Sequence, residues 1–187
     1  MRFTALVIAA ALAVSGCGWL DSKKGDAADT AKLLQSSDAP VKYEALQAFL
    51  PGTDAIATAG WQKTEMTGMA LTVPMKGSKA SMTLKKDETE VVIDIIDTVF
   101  NQSLYGPVAA YLGKGYYSSS GNDYKKAVTV GGQPAFEEWN SKDRTSALTV
   151  LVGKRFLVHV LGTNVDSIDP VTFVAGQIDF TRLASLK

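Results

Sequence analysis

ALTVLVGKRFLVHVL, Ala147 to Leu161, carries the plainest architectural signal in the chain. Two β-branched, apolar runs flank Gly153-Lys154, and a short glycine-bearing turn between such runs marks a β-hairpin. In the second run Phe156, Val158 and Val160 alternate with Leu157, His159 and Leu161. That is the period of a strand.

Working upstream, Ala127–Val130, Gly131-Gly132 and Gln133–Trp139 repeat the hairpin pattern. Val91-Val92-Ile93-Asp94-Ile95-Ile96 is a β-branched run suited to a central strand. Before it, Ala80, Met82 and Leu84 alternate with Ser81, Thr83 and Lys85, a half-buried strand joined on by the charged turn Lys85–Thr89. The period of two begins near Trp61. Three segments carry helical spacing instead. Pro40–Leu50 repeats Tyr43, Leu46, Phe49 and Leu50 and stops at Pro51-Gly52. Leu104–Leu112 sets Leu104, Val108, Tyr111 and Leu112 on one face. Val171–Leu186 turns Val171, Val174, Ile178 and Leu183 or Leu186 inward. Ser118–Asp123 reads as a polar loop. Strands in the middle with N-terminal, middle and C-terminal helices predict an α+β fold, an antiparallel sheet packed by those helices.

Gly131-Gly132-Gln133-Pro134-Ala135 before one strand and Val152-Gly153-Lys154-Arg155-Phe156 before the next resemble the PsbP-like and DcrB-like group of small α/β/α proteins. The resemblance runs from about Val41 to the end and implies an α/β/α sandwich. It implies little about activity, because members of such folds do unrelated jobs.

The N-terminus carries an address. Arg2 is the only charge before Cys17, Phe3–Val14 is apolar, and small residues follow. A positive stub, an apolar run of roughly 7–15 residues and a small-residue exit make a secretory signal, and the run is shorter than the roughly 20 residues of a membrane span. Val14-Ser15-Gly16-Cys17 resembles the bacterial lipobox, and Cys17 is the chain's one cysteine. The resemblance implies cleavage after residue 16, lipidation of Cys17, and attachment to a membrane outside the cytoplasm. Gly18 rather than aspartate after the cysteine implies the outer membrane, facing the periplasm, over the inner membrane. Trp19-Leu20 is either a headgroup-level anchor or the start of the spacer. The division is then a signal over 1–16, a lipidated cysteine and flexible tether over 17–40, and one globular domain over 41–187.

Without the signal, 18 basic residues face 19 acidic ones, so no field gathers nucleic acid. With Cys17 acylated, no thiol remains for a disulfide, a metal or catalysis. The core alone must hold the domain, and its 46% hydrophobic content allows this.

Candidate chemistry is sparse. His159 is the single histidine. With a serine and Asp94 or Asp97 it would make a hydrolase; alone it is a strand histidine. Asp94 and Asp97 sit at the most apolar strand, as a base or ligand if buried and as solvent-facing acids otherwise. One histidine without a thiol argues against zinc, and no calcium loop or phosphate-cradling glycine loop is present. No metal or cofactor is expected. Tyr116 and Tyr117, beside Asn122 and Asp123, are the candidate binding surface, since aromatics next to a polar loop suit recognition. The sequence therefore predicts a lipid-anchored, non-enzymatic module that binds an envelope protein or a small ligand. The alternative is a periplasmic hydrolase using His159 with a carboxylate.

Overall fold

The computed structural model describes residues 39–72, 76–101, 111–112 and 115–187. Within them eight strands form one antiparallel sheet: β1 Gln62–Leu71, β2 Gly77–Lys86, β3 Thr89–Asp97, β4 Tyr117–Ser120, β5 Asp123–Val130, β6 Gln133–Asn140, β7 Thr145–Val152 and β8 Phe156–Thr163. They lie in the order β1-β2-β3-β8-β7-β6-β5-β4. Two meanders thus meet where β3 pairs with β8. Gly131-Gly132 and Gly153-Lys154 hold positive φ at both positions, the mirror-image turn whose twist matches its flanking strands.

Among the described residues the helices are α1 Tyr43–Gln47, α2 Thr53–Thr58, α3 Asp169–Ala175 and α4 Phe180–Ala184, none longer than seven residues. The fold is sheet-dominated, which overturns the expected α+β sandwich packed by three helices and, with it, the α/β/α arrangement implied by the PsbP-like and DcrB-like resemblance. The C-terminal pattern breaks in the middle because Asp179 caps a new helix, its side chain accepting from the Arg182 N–H at 2.9 Å. Proline at residue 40 precedes α1 by three positions rather than opening it. The expected middle helix lies outside the described residues except at 111–112, which form a turn and a bend. The signal, Cys17 and the tether through residue 38 also lie outside them.

Ser118–Asp123 is not a loop but the tip of the β4–β5 hairpin. Its sequence lacks alternation because every β4 residue is exposed, so no face had to be apolar.

Register fixes two unlike faces. Ala80, Ile95, Val158 and Val150 share one row, and Met82, Ile93, Val160 and Leu148 the next. All eight are buried, with Leu46, Ile56, Val171, Val174 and Leu183 from the four helices packed into the same core. Burying each such side chain stabilises the fold by roughly 1.5–3 kcal/mol. The opposite face carries Ser81, Asp94, His159 and Thr149 in one cross-strand row. The candidate site described next lies on that face.

Candidate functional site

The polar row is assembled by pairing alone. Asp94 stands directly opposite His159, Ser81 opposite Asp94, and Thr149 opposite His159. Side chains opposite one another on an antiparallel pair are within reach. Ser81 Oγ donates to Asp94 Oδ1 at 2.5 Å, and Lys79 Nζ to Oδ2 at 2.8 Å. Thr149 Oγ1 and His159 Nδ1 are hydrogen-bonded at 3.0 Å. Burial holds the imidazole below the usual histidine pKa, Lys79 adds to this, and Asp94 and Glu138 oppose it. The ring is therefore neutral near pH 7.

This order of contacts matters. A base-activated nucleophile needs its hydroxyl on the imidazole and in reach of substrate. Ser81 is bound to the acid instead. Thr149 does touch the imidazole, but it is 6% exposed and does not line the neighbouring cleft.

That cleft, about 520 Å³, opens over the polar face between β4 and β8. Its walls include Ser118, Lys125, Glu138, Thr145, His159 and Leu161. Ser118, Lys125, Glu138, Ala147 and Leu161 form a single row across five strands. Lys125 Nζ and Glu138 Oε1 pair at 2.5 Å in its middle. The cleft thus offers a neutral imidazole, serine and threonine hydroxyls and an internally balanced ion pair, set in a lining that is more apolar than polar. It suits a polar ligand or a partner loop.

The four residues singled out in the sequence are split by the alternation of β4. Tyr117 pairs with Lys126 and is 66% exposed on the helix side. Tyr116 instead clusters with Tyr111 and Phe136, at ring-centroid distances of 5.0 and 5.8 Å. Asp123 lines the cleft, but its Oδ1 accepts from the Ser141 hydroxyl at 2.6 Å and amide at 2.7 Å. Those bonds hold its carboxyl below the usual range. Asn122 is exposed at the hairpin tip. Lys125, Glu138 and Thr145 were not visible as site residues, since charged and hydroxyl residues on strands look like ordinary solvent-facing positions.

Asp97 has a different role. It is fully buried beside Arg155, taking Nε at 2.9 Å on Oδ1 and Nη2 at 2.8 Å on Oδ2. Its oxygens also accept the amides of Val99 and Val41, at 2.9 and 2.8 Å. Arg155 Nη2 donates to the carbonyl of Ala39 at 3.2 Å. The pair fastens the start of the domain to the sheet, and with its oxygens so occupied Asp97 is not available as a base. Among the described residues no group of three or more His, Cys, Asp or Glu side chains gathers to hold a metal.

No family model matches the chain, and no curated protein matches it. Among solved structures it is similar to a GTP binding regulator from Thermotoga maritima, at 12% identity over 68% of this chain and 82% of that one, with a TM-score of 0.39. A likeness that slight carries neither a fold assignment nor a function.

Proposed function

We propose that the chain is an envelope lipoprotein, lipidated at Cys17, whose domain binds a small polar ligand or a protein partner in the cleft over the polar sheet face without transforming it. The observation that carries the binding reading is the contact order Ser81–Asp94 and Thr149–His159 beside that cleft. It orients an imidazole that burial keeps neutral, and among the described residues no cleft-lining hydroxyl is bonded to that ring. The lipobox Val14–Cys17 supports the anchor, and outer-membrane attachment facing the periplasm follows from Gly18 on the same resemblance.

The test is complementation of a deletion strain of the native host at matched protein abundance. Ala147→Trp fills the cleft floor and should abolish rescue, because bulk there displaces whatever binds. His159→Ala should still rescue, since binding over a whole row survives the loss of one hydrogen bond far better than catalysis survives the loss of its base. If His159→Ala is folded and abundant but inactive, the hydrolase alternative replaces this reading. If Ala147→Trp rescues fully, the cleft is not the site.

A further inference from the structure

The sheet ends in two unequal edges. β4 is only four residues long. β1 is ten residues long and, among the described residues, pairs with β2 alone. Its outer rim presents backbone N–H and C=O groups that another strand can take up. Eight of its ten residues are exposed, so no side-chain layer of the described residues covers the strand.

Protection against pairing covers just the first half. Lys63 and Glu65 place charge there, and the register shifts between them in a bulge. From Met66 to Leu71 there is no charge, no proline and no bulge. Met66, opposite Met82, is 44% exposed on the helix side, and Met69, opposite Lys79, is 49% exposed on the other. Methionine is over-used on surfaces that take up partners. The segment is also held in place. A Cβ on Gly68 would fall 2.1 Å from Tyr43 Cδ2, so the α1 ring lies directly on the strand backbone. An edge ordered in advance loses less entropy when a partner arrives.

We propose that a second copy of this chain pairs antiparallel with Met66–Leu71 about a two-fold axis at Gly68, joining two sheets into one. The occupant follows from the edge's own sequence. Opposed residues must share a face, and a dyad at Gly68 sets Met66 against Ala70 of the second copy, Thr67 against Met69, and Glu65 against Leu71. No like charges meet. Shifting the dyad to Met66 would draw the bulge at Thr64 into the ladder. Shifting it to Ala70 would set Gly68 against Thr72, beyond the strand's end. A head-to-tail pairing of β1 with β4 would generate an open array, and β4 offers four residues for it. The symmetric pairing closes after two copies.

The test uses the mature chain carrying Cys17→Ser, which removes its single native thiol. Sedimentation should show a reversible dimer, and Met69→Lys should weaken it about tenfold through two symmetric cross-strand positions. Met69 is exposed, so an unchanged thermal melt confirms that Met69→Lys still folds. Mild oxidation should link two copies of Thr67→Cys/Met69→Cys, because these positions face each other across the dyad, and should leave Thr67→Cys alone unlinked. A chain that stays monomeric to millimolar concentration overturns the proposal. So does Thr67→Cys alone linking as well as the double variant, which would place the dyad elsewhere.

Discussion

His159 and Asp97 show how far one residue's surroundings decide its chemistry. Both sit on strands of alternating apolar character, and β3 pairs with β8 so that one faces each side of the sheet. Asp97 falls on the core side and is neutralised by Arg155, with 0% and 8% of their side chains exposed. The same carboxylate holds Val99, whose φ of 50° is strained for a β-branched residue. A buried pair with all its bonds made defines geometry more than it adds stability. His159 is half-buried on the polar side, and its pKa is lowered chiefly by that burial. The sign of its contribution follows. The unfolded chain binds a proton near pH 6.5 that the folded chain resists, so stability is complete above that value and declines as pH falls below it. One group can supply at most about 1.4 kcal/mol per pH unit. Urea denaturation should give a lower stability at pH 5.5 than at pH 7.5, and His159→Gln should flatten part of that difference. A His159→Gln profile that superimposes on the wild type would show that the imidazole is as easily protonated folded as unfolded.

At the scale of elements, the start of the domain is where sequence and structure part most usefully. Ala39 and Pro40 read as the end of a tether, yet Ala39 and Val41 are hydrogen-bonded to the Asp97–Arg155 pair. Hydrogen bonds to charged groups contribute about 1.5–3 kcal/mol each. A chain beginning at Asp38 should therefore melt like the mature protein, whereas one beginning at Lys42 should melt several degrees lower. Equal melts for the two truncations would mean that the buried pair gains nothing from the segment it holds. The hairpins around Gly131-Gly132 and Gly153-Lys154 and the strands β2 and β3 were legible because alternating or β-branched apolar residues run up to a glycine or charged turn in each. The helical content was overestimated for a physical reason. Apolar residues at 171, 174, 178 and 183 fit one helix by spacing, and spacing does not register that Asp179 caps a second one. α2 was missed because Thr53–Thr58 buries only Ile56, which leaves no period to detect. The cleft was invisible for a related reason, since its row joins residues from five strands and exists only through register.

Across the whole molecule, the folded domain and the segment before it answer to different physics. The domain's sheet buries its apolar side under helices of its own, with the candidate cleft on the other side. Nothing in that arrangement requires a membrane, and no helix among the described residues is long and apolar enough to cross one. On the lipoprotein function proposed above, attachment comes from outside the core, through acyl chains on Cys17. Each buried acyl methylene contributes about 0.8 kcal/mol, and one chain alone binds only reversibly, so durable anchoring needs several chains on the same residue. On that proposal Cys17→Ser removes the attachment point and changes none of the described residues. The variant should lose acyl label in cells fed a clickable fatty acid and leave the membrane fraction, while the purified domain melts as before. Retention of label would place the lipid on another residue and end the lipobox reading. Loss of label with the protein still firmly in the membrane fraction would mean that a partner, rather than the acyl chains, holds it there.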